Sequence, residues 1–572
     1  MVIKQMTETK NKKKMALGRL KIFLYFILLL LILVVIWVAC NVRLRPADGQ
    51  PLVEVSSETT WLTAPLDSNG DVDYLEAVNI QCSDGVTLEN NAFAKLIRVI
   101  GPIQDDPELT NQIVERLGIE PLAPSGDYFV EFETWLRNRL QQVKDQKAKE
   151  FLEKSNADLG SESDLDSEHL GGSEDWSEDA APDPEDVLEQ FEFAQQFPWS
   201  KQQFPEVEEW RKRHEPMLQL IREGVQRSHY YHPLASKQSP KLMNATLHYP
   251  LEIRKLGDLL SVSTMSKISE GDVDGCIDDL NLHFGLAFHV ARGPSLVEEL
   301  VGITIANGAR DDVVSVCASG KADALQLKRL AQCLKEAKPI DNCGQRIDLV
   351  ERLVGLDAAV SMARANGSAR GVAPSVEAQV SMLSQIVAWE ETLSTLNGFY
   401  GRFKEAAMSK DPDEFQAVYS SLEDEMIEND VWVNDNTLKA GLMGRKSRGI
   451  WLGRLLGGTL MPGLGVVVKA ENETKSKHEM LKILVAASIF KIEKNVSPES
   501  LDQLAPEYLD RIPNDPLTGQ AFVLKLTDHG LQIHSPQWDE ESDLEGRLML
   551  ELKSETWETW KIANEEDDLL GQ

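Results

Sequence analysis

Cysteine is scarce in this sequence, which has six in 572 residues. So few cysteines exclude a small disulfide scaffold, and because no two form a C-x-x-C pair, a zinc site or thioredoxin-like redox motif has no local support. We expect buried free thiols. An exported chain would allow one or two disulfides, for which Cys333 and Cys343 are the best-placed pair. The cysteines beyond the N-terminal apolar segment are Cys82, Cys276, Cys317, Cys333 and Cys343.

Catalytic signatures are also lacking. The sequence has no H-E-x-x-H motif and no G-x-S-x-G elbow, and the basic stretch 444–449 lacks the G-x-x-x-x-G-K-[ST] pattern of a phosphate loop. Of four histidines that raise the question of a metal site, only His229 and His232 have helical ligand spacing. We expect these two, and His283 and His289, to be surface residues or to have hydrogen-bond partners. We therefore name no catalytic, cofactor-binding or metal residue, and expect no cofactor.

Residues 67–78 resemble a calcium-binding loop, because oxygen-bearing side chains alternate along them. The sixth position is Val72, where an EF-hand needs Gly, and the twelfth is Val78, where it needs Glu. A turn that caps a helix from about Asp73 to Gln81 fits the sequence better.

Positive charge is outnumbered: the chain has 59 Lys and Arg against 92 Asp and Glu, a net charge of −33. This balance argues against nucleic acid or anionic lipid as a partner of the exported part. It suits a soluble exported protein, and cations or basic proteins as partners.

One long apolar run, Ile22 to Val42, contains no charged residue. About 21 residues at ~1.5 Å each give a helix of about 31 Å, which matches a bilayer's hydrocarbon core. Lys and Arg are concentrated in residues 4–21 before the run, whereas only Arg43 and Arg45 follow it closely. We predict a single transmembrane anchor in a bacterial inner membrane, with the N-terminus cytoplasmic and the rest extracytoplasmic.

Two cleaved alternatives remain open. The residues Trp37 to Cys40 resemble a lipoprotein cleavage box, after which Cys40 would be acylated, although Trp37 stands where that motif normally has Leu. Simple signal-peptide cleavage is the other alternative. All three interpretations export residues 46–572.

Composition divides the rest of the chain. Residues 155–189 contain no Lys or Arg and are dominated by Ser, Gly, Asp and Glu, which is typical of a disordered linker. The predicted segments are a basic tail (1–21), the anchor (22–42), a tether (43–60), an N-terminal helical unit (61–150), an acidic disordered linker (151–195), a helical-hairpin domain (196–472), a small α+β module (473–550) and an acidic tail (551–572).

The helical-hairpin domain shows paired helical patterns separated by short polar turns. Glu270-Gly-Asp272 is one such turn; at the next, Gly293 suits a left-handed cap, and Ser295 with Glu298 forms an S-x-x-E capping box. Helix, Glu-Gly-Asp turn, helix is how a tetratricopeptide pair begins, but no strict repeat is present, so we predict irregular hairpin packing. The apolar, glycine-rich stretch 450–468 predicts a buried helix pair in preference to a membrane-surface one.

Segments of the sequence resemble two families of proteins. The segments Pro65 to Asn79, Gly85 to Asn91, Phe197 to Ser200, Arg227 to Leu234 and Gly293 to Gly302 resemble a family of membrane-anchored envelope proteins of planctomycete bacteria. That resemblance implies an architecture and leaves function open.

The C-terminal part resembles the globular head of type II secretion major pseudopilins, in the stretch Ser497 to Leu509 and in Ile512 to Gly519. The resemblance implies a long helix, here from about Ser476 to Lys494, packed on a small antiparallel sheet whose hairpin would be 521–526 and 531–534. Such heads often bind calcium in a final acidic loop, but residues 537–546 lack the glycine-rich pattern, so we expect none.

Together these observations predict a mainly α protein: one N-terminal transmembrane helix, an irregular hairpin region and a small C-terminal α+β module. The leading functional hypothesis is a membrane-anchored extracytoplasmic scaffold or adaptor with a protein partner in the envelope. An accessory component of a secretion or pilus-like system and an envelope hydrolase with a non-local site are the alternatives.

Overall fold

A computed structural model describes most of the chain beyond the predicted anchor. The described residues are 27–29, 31–32, 49–158, 183–238, 241–364, 386–409, 414–422, 424–425, 444–460, 462–527, 530–536 and 549–553.

The fold is mainly helical, as predicted. The helices are α1 Tyr74–Ser83, α2 Phe93–Ile100, α3 Pro107–Leu117, α4 Phe132–Asp158, α5 Pro184–Gln196, α6 Pro205–His214, α7 Met217–Val225, α8 His248–Glu270, α9 Val273–Ala291, α10 Leu296–Ala318, α11 Ala324–Glu336, α12 Cys343–Arg346, α13 Arg352–Arg364, α14 Trp389–Ala407, α15 Arg445–Leu460 and α16 Pro462–Lys494. A π-helical turn, Ile347–Glu351, joins α12 to α13.

The turns of the hairpin region are formed by helix-capping residues that can be identified in the sequence. Gly271, at φ 79°, ends α8 in the left-handed conformation, and the Asp272 side chain accepts from Gly275 N–H at the start of α9. Both halves of the Ser295–Glu298 capping box are present at the start of α10, so this prediction is confirmed.

The role predicted for Gly293 is wrong. Its backbone is not in the left-handed region, and α9 ends at Ala291 with Arg292 as its C-cap. Gly293 lies against the Glu298 side chain, where an added Cβ would collide with the carboxyl carbon. The glycine therefore leaves room for the capping box.

The first core consists of the buried apolar side chains of α2, α3, the start of α4, α5–α11, the C-terminal half of α16 and the segment 501–533 that follows it. Leu256, Leu280, Leu330, Leu481 and Leu484 are fully buried in it. The helices α8, α9 and α10 pack as successive hairpin partners; α16 packs against α10, and α11 packs against α16 and α9.

The second core consists of buried apolar side chains from residues 52–78, α12–α15 and the N-terminal part of α16. Its members include Leu353, Leu393 and Leu452, and the predicted burial of the apolar stretch after Gly449 is confirmed by Trp451, Leu456 and Val467.

The helix α16 belongs to both cores. It begins at Pro462, earlier than the predicted Ser476, and its 33 residues make a rod of about 50 Å. Pro at the first turn is compatible with a helix start because its missing N–H would have no partner there.

Three strands follow α16: β1 Val523–Thr527, β2 Gly530–His534 and β3 Met549–Lys553. They form an antiparallel sheet in the order β1-β2-β3, with Val523 opposite His534 and Gly530 opposite Lys553. The predicted hairpin is confirmed. Leu531 and Ile533 of β2 are buried in the first core, so the sheet is continuous with the hairpin helices.

Two predicted boundaries need correction. Residues 184–195 lie in α5, whose Pro184 follows the capping Asp183 and which buries Val187 and Ala194, so the acidic linker is shorter than predicted; residues 159–182 lie outside the described part. The predicted tether also contributes to the second core, because Leu52 and Val53 are buried.

Among the described residues, no single helix is long and apolar enough to cross a membrane. A bent pair, Arg445–Thr459 with Gly463–Lys494, meets the length and composition criteria together, with a bend of 40°. Of the predicted anchor Ile22 to Val42, only residues 27–29 and 31–32 are described.

Candidate functional site

A cavity of about 280 Å³ lies between α9, α10, α16 and the segment 337–341 that leaves α11. Its apolar wall includes Phe284 and Phe288 of α9 and Ala306 of α10. Charged and polar groups converge on it from the other sides, in the arrangement common to ligand sites. These are Arg310, Lys338, Asp341, Thr474, Lys475, His478 and Glu479.

The two helices that bring most of these groups together run parallel. Glu299 of α10 faces Glu471 of α16 near one end, and Cys317 meets Ser488 near the other. Residues three or four apart on a helix share a face, so the cavity receives Ala306 and Arg310 from α10, and Thr474 and His478 from α16.

Arg310 is the buried charge of this cavity, with a side chain only 5% exposed. Its one hydrogen bond within the described chain runs from Nη1 to Oδ1 of Asn307, at 2.8 Å, and its buried Nε has no partner. No carboxylate of the described residues lies within ion-pair distance of it. Burial lowers the pKa of Arg310 to about 10, so the group is still a cation at neutral pH.

A second cation lies at the rim. The Nζ atom of Lys338 is 4.7 Å from the ring centroid of Phe288, and the guanidinium carbon of Arg292 is 5.2 Å from the same centroid. Such cation–π contacts hold a positive charge without neutralising it. Lys338 is exposed and has no ion pair with a described residue.

The acidic groups of the cavity are already paired. Lys475 bridges Asp341, at 2.5 Å, and Glu471, at 2.7 Å. Glu479 pairs with Lys482 at 2.7 Å. Within the described chain, the charges left without a counter-charge in the lining are therefore positive.

His478 completes the lining as a neutral donor. Its Nε2 donates to the Leu334 carbonyl at 2.9 Å, and burial together with nearby Arg310 lowers its pKa to about 3. The ring is therefore uncharged at physiological pH and adds no further cation.

Beside the cavity, a buried pair of carboxyl groups fixes its wall. Oε2 of Glu471 accepts from the backbone N–H groups of Asn342 and Cys343, both at 2.9 Å. Burial and the neighbouring Glu471 carboxyl raise the pKa of Glu299 well above its usual range, and they outweigh the hydrogen bond from the Asn342 backbone, which lowers it. Glu299 therefore keeps its proton, and Glu471 holds the chain just beyond the lining segment 337–341.

The histidines from the sequence lie apart from this cavity and have structural partners. His229 lies 2.8 Å from the Ser228 hydroxyl, His232 contacts the Glu298 carboxylate at 3.2 Å, and His289 donates to the Val225 carbonyl at 3.0 Å. Among the described residues, no group of three or more His, Cys, Asp or Glu is placed to hold a metal ion.

His283 belongs to a buried network that superficially resembles a catalytic triad. Oδ2 of Asp312 accepts from both the Ser261 hydroxyl and the His283 ring, each at 3.1 Å. A serine nucleophile needs its hydroxyl on the imidazole, whereas Ser261 donates to the carboxylate. The three groups join α8, α9 and α10 as a core network.

The acidic loop 67–78 is also used structurally. Asp67 Oδ1 accepts from the N–H groups of Asn69 and Asp71, and Asp71 bonds to the Leu52 N–H and to Arg364. The Asp73 side chain caps α1 at Glu76 N–H, as the capping interpretation predicted.

All five described cysteines are free, as expected; Cys276, Cys333 and Cys343 are buried, whereas Cys82 and Cys317 are half-buried. Burial raises the pKa of Cys276, Cys317 and Cys333 to about 12. Cys333 belongs to the first core and Cys343 to the second, so the pair favoured for a disulfide is divided between them.

Sequence reasoning missed Arg310. The available signal was a single cation among the apolar positions of α10, between Ala306 and Val313 at helical spacing. Comparison of the chain with models of protein families, with curated proteins and with solved structures gave no match.

Proposed function

We propose that the protein is a membrane-anchored, extracytoplasmic adaptor without catalytic chemistry, and that it binds an anionic ligand in the cavity between α9, α10 and α16. The observation that carries the proposal is Arg310, a buried cation that lines the cavity and has no carboxylate partner within the described chain. Burying a charge is costly unless it is paired, so an anion bound there would supply the missing interaction.

The adaptor part of the proposal rests on the sequence. The apolar run Ile22 to Val42 and its basic flank favour an anchor that holds the helical part outside the cytoplasmic membrane. The net charge of −33 disfavours anions over the protein as a whole. A small anionic group is attracted only where the local charge is positive, as at Arg310 and Lys338. Nucleic acid is not a proposed partner.

The test is binding of anions to the full chain, purified in detergent. Phosphate, sulfate, acetate and phenylacetate would each be titrated while the midpoint of thermal unfolding is recorded. At least one anion should raise the midpoint, because a ligand that binds only the folded state stabilises it. Arg310→Met should remove the shift; an unchanged midpoint for every anion would contradict the proposal.

The adaptor role needs a partner as well as a ligand. Crosslinking in native membranes, from a photoreactive residue placed at the exposed position of Lys338, should capture the same partner in replicate preparations. The same residue placed at Lys328, which pairs with Glu493 away from the cavity lining, is the matched control. Equal capture from both positions would show that the partner does not bind specifically at the cavity.

A second candidate is an accessory role in a secretion or pilus-like system. It is favoured by the contact of α16 with strand β2 of the antiparallel sheet. Phe490 of α16 also packs edge-to-face on Tyr508, in the segment between α16 and the sheet, at 5.6 Å between centroids. Specific crosslinks to the assembly's pilin-like subunits would support this role.

A further inference from the structure

We propose that the ligand of this cavity is a small monocarboxylate with an apolar body, its carboxylate on Arg310 and its body against Phe284 and Phe288. This inference rests on the proposed function, because it names the chemical class of anion for the same cavity.

The charge of the site favours a single negative charge. Arg310 is the one fully buried cation without a counter-charge in the lining, and Lys338 lies at the exposed rim. The guanidinium group matches a carboxylate in planarity and can donate two parallel hydrogen bonds to it.

A phosphate or a second carboxylate fits less well. Lys475 pairs with Asp341, and Lys482 pairs with Glu479, so neither ammonium group is free to balance a second negative charge on a ligand. His478 is committed to the Leu334 carbonyl and is neutral, so it offers no positive charge to a dianion. A multiply charged ligand would therefore bury negative charge that the lining does not balance.

The remaining wall favours an apolar body. Phe284, Phe288, Ala287, Ala306, Ile340 and Pro516 surround the polar groups. The cavity of about 280 Å³ equals roughly nine waters at ~30 Å³ each. That space accommodates an aromatic or branched aliphatic acid of small size, with the apolar part excluded from water.

The test compares matched probes by titration calorimetry on the full chain in detergent. Phenylacetate and isovalerate should bind, whereas phenylacetamide, which has the same shape as phenylacetate without its charge, should bind at least tenfold more weakly. Inorganic phosphate and sulfate should also bind at least tenfold more weakly than phenylacetate. The tenfold limit corresponds to the lower end of hydrogen bonds to charged groups.

Variants locate the carboxylate. Arg310→Met should weaken phenylacetate binding by about tenfold to a hundredfold, and Arg310→Lys should restore part of the loss. Lys338→Ala, at an exposed position that leaves the fold intact, should weaken binding by up to about fivefold. Arg402→Ala is the control, because Arg402 of α14 pairs with Glu425, and neither residue lines the cavity.

The outcomes separate the two proposals. If phosphate or sulfate binds as tightly as phenylacetate, or if the amide does, the carboxylate class is wrong while anion or ligand binding stands. If no anion binds, the proposed function fails too. If Arg310→Met does not fold, unchanged affinity in both Arg310→Lys and Lys338→Ala would overturn the inference.

Discussion

The carboxyl group of Glu299 on α10 faces that of Glu471 on α16, and the two residues are 0% and 4% exposed. Oε1 of Glu471 accepts a hydrogen bond from Lys475 Nζ at 2.7 Å, and its Oε2 accepts from the backbone N–H groups of Asn342 and Cys343. Glu299 must therefore carry a proton, which lets it donate to Glu471 and avoids two buried like charges.

This pair makes stability depend on pH. The folded chain keeps the Glu299 proton well above the usual glutamate pKa of about 4.3, whereas the unfolded chain loses it there. The folded state thus binds more protons, and the free energy of unfolding falls as pH rises above that value. Glu299→Gln keeps the donor without titrating, so it should be more stable than wild type by about 1–3 kcal/mol at pH 8, and by less at pH 5.

The measurement is thermal unfolding of both proteins from pH 5 to pH 9. Glu299→Ala is the control, because it removes the contact altogether and should be destabilised at every pH. Parallel pH profiles for wild type and Glu299→Gln would contradict a proton shared between Glu299 and Glu471.

His214 should account for part of the loss of stability at acidic pH. Its Nδ1 donates to the Trp210 carbonyl at 2.8 Å, and its Nε2 accepts from the Val130 N–H at 3.2 Å, which fixes a neutral ring. Burial lowers its pKa to about 4, so the unfolded chain binds the extra proton first, and stability is lost as pH falls from about 6.5 towards 4.

Replacing His214 by Gln should reduce this acid loss by about 1–3 kcal/mol, one pKa unit being about 1.4 kcal/mol, although the variant starts from lower stability at pH 7. Denaturant titrations at pH 7, 6 and 5 give the comparison. The half-buried His229, replaced by Gln, serves as control. An acid loss unchanged in His214→Gln would rule out His214 as the responsible group.

Two glycines should respond in opposite ways to alanine. Gly302 lies where α10 crosses α9, and a Cβ there would lie 2.5 Å from the Cβ of Ala291. Gly302→Ala should therefore destabilise the protein by about 1–3 kcal/mol. Gly398, exposed on α14 with nothing within 4 Å of such a Cβ, should instead gain about 0.5–1 kcal/mol.

The unfolding midpoints of the two single variants, measured against wild type under one condition, test this difference in stability. Equal shifts of the same sign would mean that the tight approach of α9 and α10 is not maintained in solution.

The anchor prediction is tested by mass and by fractionation. The intact mass of the purified protein should include residues 1–45, and a chain without them should leave the membrane fraction, because about 20 apolar residues supply the insertion energy. A mature protein that begins at Cys40 would identify the lipoprotein alternative instead.

Helix caps, turns and the β-hairpin could be predicted from the sequence because their signals are local. Asp73, Gly271 with Asp272, and Ser295 with Glu298 were recognisable because capping chemistry acts within three or four residues. The hairpin of β1 and β2 was recognisable for the same reason.

The site was not recognisable, because it depends on contacts between distant residues. Arg310 meets His478, and Glu299 meets Glu471, only after α10 and α16 lie side by side. The early start of α16 was missed because Pro462 and nearby glycines suggested an interrupted helix, whereas packing of Leu464, Val467 and Val468 in the second core stabilises it.

The position of α16 across both cores also sets the order in which the chain can be completed. The second core draws on residues 52 to 468, so it can close before the last hundred or so residues have been synthesised. The first core contains α2 to α11 but also Leu481, Leu484 and Ile533. The first core therefore cannot be completed until the C-terminal residues have been synthesised, although α2 to α11 are synthesised early. The part of the protein that contains the cavity is the last to fold completely.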